Sequence, residues 1–176
     1  MNRFQNLKNF KKISWESIPD YGLYSMQLLD YLDEHLLSFF PSTLSLSQSM
    51  INNYVKKEIL PKPVNKRYGR EHIGMLIVIV VLKEVIPLEG IKEGMELQLD
   101  IMGIERAYNE FSEILEKTLK NILGAIEKGN GLGSDALETN WENIALAIAV
   151  KAFCYQTVTK EILKSKGIYN RENINE

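Results

Sequence analysis

The chain has 176 residues, 45% of them hydrophobic, and a formal net charge of −2; that suits one generous domain or two small ones sharing a core, and it is too apolar for a disordered chain. A single cysteine, Cys154, excludes an internal disulfide and any zinc site built on several thiolates, and it points to a reducing, cytoplasmic setting. The longest apolar run, residues 73–82, is too short to span a bilayer, so no membrane partner is expected, and the polar start MNRFQNLKNFKK lacks the apolar stretch of a secretory signal.

In chain order, residues 1–18 read as a loosely ordered arm, with Trp15 and Ile18 tucked onto the domain. Pro19 suits a first helical turn, and Leu28, Leu32, Leu36 and Phe39 predict a helix over 21–39. Pro41 ends it. Ser45 or Ser47 can cap a second helix running to residue 59, with Met50, Ile51, Tyr54 and Val55 inward. The segment 60–63 carries Pro61 and Pro63 and cannot continue that helix. Residues 64–68 read as a short extended segment or β-hairpin. A third helix is expected over 70–85, stopped by Pro87. Its β-branched run would also suit a strand, but the pattern is too long for one. A short helix over 88–98 follows. From Ile104 onward Tyr108, Phe111, Leu115, Leu119, Ile122 and Ile126 recur at helical spacing. The GNGLGS stretch at 129–134 breaks that helix, a capping box at 139–142 starts the last one, and Gly167 stops it near Lys166. The first half of the last helix, IALAIAVKAFCY, is apolar almost all round, as in a core or against a partner chain.

The charge is unevenly spread. Residues 48–85 hold seven Lys/Arg against three Asp/Glu, whereas residues 86–176 hold ten against fifteen. Such a split marks one surface for an anionic partner. Two short helices, a turn and a basic segment fit a helix-turn-helix reader of double-stranded DNA, whose second helix lies in the major groove. Here that helix would present Ser47, Gln48, Ser49, Asn52, Asn53, Lys56 and Lys57. Asn and Gln can bridge the edge of adenine, and Ser can meet several bases. The lysines suit phosphates. The helix would span roughly 20 Å, the scale of the groove. Beside it, Lys62, Lys66, Arg67, Tyr68 and Arg70 would form a basic wing along the sugar-phosphate backbone.

The ordered set MINNYVKKEILPKP, KRYGREHI, an apolar helix and PLEGIKEGM resembles the DNA-binding half of the mercury-resistance-regulator (MerR-like) superfamily. Tyr54, Ile59-Leu60-Pro61, Arg67-Tyr68 and Leu88-x-x-Ile91-Lys92 stand where that pattern has a tyrosine, a glycine-leucine-isoleucine-proline turn, an Arg-x-Tyr wing and a leucine-x-x-isoleucine-lysine segment. The chain is more closely similar to an uncharacterised bacterial family with WE-x-IPD, MINNY, LPKP and YxREH in this order. The resemblance covers about residues 15–100. It implies a winged helix-turn-helix and transcriptional regulation. The first helix is longer than in the mercury-type regulators, two C-terminal helices stand where they have one, and Asn52 and Asn53 replace their usual arginine.

The expected architecture is therefore all-α and mainly helical: an arm over 1–18, a MerR-like winged domain with a short β-hairpin wing over 19–100, and a helical pair over 101–176. The helical pair would carry the homodimer interface and a small-molecule effector pocket lined by Tyr108, Phe111, Trp141, Phe153 and Tyr155. A dimer would set two reading helices one DNA turn apart. Glu71-His72 has no second histidine within helical reach, GNGLG follows a helix and lacks the Lys-Ser/Thr of a phosphate loop, and Cys154 sits in an apolar helix. No enzyme, metal or cofactor is expected. The competing expectation is a degenerate winged helix that serves as a protein-interaction adaptor.

Overall fold

The computed structural model describes residues 4–129 and 141–164. Within them the chain is mostly helical: α1 (Gln5–Asn9), α2 (Ser25–His35), α3 (Gln48–Lys56), α4 (Arg70–Leu82), α5 (Leu88–Met102), α6 (Ile104–Glu127) and α7 (Ile144–Lys164), with 3-10 turns at Trp15–Ser17 and Leu37–Phe39. No strand occurs among the described residues, only two isolated antiparallel bridges, Val64 with Arg67 and Leu23 with Tyr68. No described helix is long and apolar enough to cross a membrane.

One hydrophobic core runs from Phe4 to Val158. The amphipathic α6 is its axis, packing on α7, α5, α4, α1 and the Trp15–Ser17 turn. Its inward stripe is the one the spacing predicts, Tyr108, Phe111, Leu115, Leu119 and Ile122. The run in α4 is helical because it is surrounded: Ile73, Leu76, Ile77, Ile79, Val80, Val81 and Leu82 are all buried, each contributing about 2 kcal/mol over exposure. A helix apolar on every side keeps its helical form when neighbours cover every side. In α7, Val150, Phe153, Cys154 and Val158 are buried while Ala145, Ile148 and Ala152 face outward.

Several expectations are corrected. Trp15 and Ile18 are tucked onto the core as expected, but the described residues before them are not loose: Phe4, Leu7, Phe10 and Ile13 are buried as well, and Lys8 and Lys12 pair with Glu127 and Glu113 of α6. The helix expected over 21–39 begins only at Ser25, because Gly22 turns at φ +75° and Leu23 exchanges both backbone hydrogen bonds with Tyr68 at 2.9 Å. The β-hairpin wing is reduced to a two-residue turn. Asn65 and Lys66 both have positive φ (50° and 62°), as a type I′ hairpin turn requires, and Val64 and Arg67 exchange hydrogen bonds at 2.9 and 3.1 Å. The ladder does not grow: the next hydrogen-bonded pair of an antiparallel ladder would be Lys62 with Gly69, but the Gly69 N–H and the Lys62 carbonyl both go to the His72 ring instead. The expected break at 129–134 and capping box at 139–142 lie mostly outside the described residues, as does the end of the last helix at 166–167; Gly129, at φ +63°, follows α6.

Candidate nucleic-acid interface

The exposed face of α3 is built by its two ends. Ser47 caps the start, its hydroxyl accepting the Met50 amide at 3.4 Å. Ile51 and Tyr54 are buried beneath. At the other end the Ile59 N–H reaches the Tyr54 carbonyl at 2.9 Å and the Glu58 N–H reaches Val55 at 3.1 Å. This paired closure needs its intervening residue in the left-handed region, where glycine is favoured, and Glu58 occupies it at φ 57°. The helix stops at Lys56, earlier than expected, and its nine residues span about 14 Å rather than about 20 Å.

On the outer face Ser47, Ser49, Asn52, Asn53, Lys56 and Lys57 are exposed and Gln48 is half-buried. Gln48 donates to the Asn52 side-chain oxygen at 2.9 Å, and the Ser47 and Ser49 hydroxyls share a hydrogen bond of 2.9 Å. Asn53 makes no side-chain hydrogen bond among the described residues. Lys57 is paired with Glu89 of α5 at 3.2 Å. The amide hydrogen bond that Glu89 receives at the start of α5, and then the one from Lys57, hold its carboxyl below the usual carboxylate range.

The cations after α3 separate into two kinds. Lys62 and Lys66 are exposed, with no ion-pair partner among the described residues. Arg67 is exposed too but clamped: its guanidinium lies 4.3 Å over the Tyr24 ring and donates to the Tyr24 hydroxyl at 3.1 Å and the Gly22 carbonyl at 3.3 Å. Arg70 is half-buried, donating to the Ile18 carbonyl at 3.1 Å beside Trp15. Tyr68, grouped with the wing residues on sequence, is buried at 4% exposure with its ring edge-on to His72, so its side chain is not part of the open surface.

His72 has a structural place that the sequence did not reveal. Its Nδ1 accepts the Gly69 N–H at 3.3 Å and its Nε2 meets the Lys62 carbonyl at 3.1 Å; with Nδ1 accepting, Nε2 carries the proton. The ring thus straps the basic turn to the start of α4. Gly74, one helical turn further on, admits the Trp15 ring: a Cβ there would sit 2.9 Å from it. The WE-x-IPD and YxREH motifs therefore meet in space as one brace behind the turn.

Among the described residues no cluster of His, Cys, Asp or Glu could hold a metal ion. Cys154 is buried, and burial pushes its thiol up, away from reactive thiolate. Of the expected pocket residues, Tyr108 and Phe111 line a cavity between α4, α5, α6 and α7, while Phe153 is fully buried in the core and Trp141 stands exposed.

Residues 13–111, more than half of the chain, match the profile of a family described as a domain of unknown function (DUF1836). No curated protein and no solved structure matches the chain.

Proposed function

We propose that this chain, which belongs to the DUF1836 family, binds double-stranded DNA and regulates transcription, reading bases with α3 and gripping phosphates with the turn after it. The observation that carries this reading is an exposed polar helix face, Ser49, Asn52 and Asn53, with exposed Lys56 on the same helix and exposed Lys62 and Lys66 following it in the chain. Asparagine can serve both edge atoms of adenine, and exposed lysines release counterions from phosphates. The brace of Trp15, Arg70 and His72 supports the reading, because a reading surface works best when its backbone is held by packing. The MerR-like resemblance adds one independent point. Its turn has a glycine just before leucine-isoleucine-proline, and that place falls on Glu58, whose φ of 57° is the one glycine favours. In this reading the turn at 64–67 is a minimal wing and a second copy of the chain completes a dimer.

One observation favours the adaptor reading: the connection from α2 to α3 runs over residues 36–47 and α3 is only nine residues long, whereas helix-turn-helix readers join their helices by a tight turn. Fluorescence anisotropy on labelled duplexes across a salt series separates the two. The variant to compare is Lys62→Ala/Lys66→Gly; glycine at 66 keeps the positive φ while removing the charge. Duplex affinity that falls steeply with salt and drops about tenfold in the variant supports DNA binding. Absence of duplex binding at low salt leaves the adaptor.

A further inference from the structure

The helices α4–α7 leave a cavity of about 180 Å³ among them. Its walls are apolar: Val78 and Leu82 of α4, Ile91 of α5, Ile104 and Phe111 of α6 and Leu146 of α7. Among the described residues no Asp, Glu, Lys, Arg or His lines it. Its two polar side chains are already used, Tyr108 donating to the Ile13 carbonyl at 3.0 Å and Gln98 to the Glu142 carbonyl at 2.9 Å. An ionised guest would shed its hydration there with nothing in return. An enclosed apolar cavity of roughly 150 Å³ takes a benzene-sized ring; this one is of similar size and opens to solvent beside the exposed Gly94, Leu97 and Ala145, so it suits a single neutral ring or a short branched chain. Small residues line its mouth: Gly94 is exposed, and a Cβ there would meet nothing within 4 Å.

The inner wall has a second face. Met75, Met95 and Leu99 line this cavity and also line a neighbouring pocket closed by Val55, Glu58, Ile59 and Leu60 of the α3 end. Methionine repacks readily. The same helix α5 is tied to that end through Lys57–Glu89 at 3.2 Å and Lys92–Glu58 at 3.9 Å. We propose that the cavity binds one neutral apolar molecule, and that Met75, Met95 and Leu99 transmit its occupancy to the turn that ends α3; the second half rests on the DNA-binding reading.

Indole is the probe. Calorimetric titration of the full chain should show one saturable site, weakened at least tenfold in Gly94→Leu, whose fold is checked by its thermal melt; Ala107→Leu fills the cavity from α6 and should act alike. No saturable binding to the wild type, or equal binding to both filled variants, overturns the site. So does a loss of self-association in Gly94→Leu with no indole bound by the wild type, which gives the opening to a second copy. Saturating indole should then shift duplex affinity severalfold in the wild type and leave Gly94→Leu unmoved; unchanged affinity in both overturns the transmission. If the ligand-free and indole-saturated protein both bind no duplex, the DNA-binding reading and the transmission fall together, and the calorimetry alone judges the cavity.

Discussion

Lys62 and Lys66 on one side, Arg67 and Arg70 on the other, lie within nine residues and carry the same charge, yet they do opposite things. The lysines and Arg67 are all exposed, but the lysines have no ion-pair partner among the described residues. Arg67 is stacked on Tyr24, and Arg70 is hydrogen-bonded to the Ile18 backbone beside Trp15. The lysines cost nothing to leave unpaired in water and remain available to an anionic partner. The arginines use the planar, multi-donor guanidinium to bind backbone and rings together. A basic cluster in a sequence is therefore a sum of two jobs, a surface and the brace that holds it.

The comparison can be broken first at the brace. Trp15 is 7% exposed and seats against Gly74, so Trp15→Ala should destabilise the fold by about 3–5 kcal/mol, read from denaturant unfolding; a loss below about 1 kcal/mol would show that the segment is not part of the core. Arg70→Ala should cost about 2 kcal/mol through its lost hydrogen bond and packing, whereas Lys62→Ala/Lys66→Gly should not destabilise and, by relieving Lys66 at φ 62°, should raise stability by up to about 1 kcal/mol. Equal destabilisation by the two variants would erase the distinction. Glu58→Gly relieves a left-handed residue and should stabilise the protein by about 1 kcal/mol, seen as a raised Tm. The smallest effect concerns pH. The Glu89 carboxyl is held below its ordinary value of 4.5, so the folded state binds this proton less readily than the unfolded chain. The stabilisation is present above the ordinary value and is lost as pH falls through the lowered one. Glu89→Gln should accordingly melt slightly below the wild type at neutral pH, and the gap should close in acid.

The helical skeleton was legible where one element carries its own signal. The stripe of α6 and a serine cap for α3, at Ser45 or Ser47, need only local sequence, and the structure uses Ser47. The parts that were not legible depend on distant partners. Apolar residues 4, 7, 10 and 13 make no continuous helical stripe, since each seats separately on the core. The delayed start of α2 follows from a bridge between Leu23 and Tyr68, and the early end of α3 from a glutamate in a conformation that advertises glycine. For the candidate site, exposed polar residues on α3 could be read from spacing. The partners of Arg67 and Arg70, 45 and 52 residues upstream, left no local trace.

The most direct test of the central reading is the salt dependence of duplex binding, measured by anisotropy on the wild type and on Lys62→Ala/Lys66→Gly. The account predicts a steep loss of affinity with salt in the wild type and a slope smaller by about 2 in the variant, one counterion for each lost phosphate contact. Equal slopes and equal affinities would contradict it.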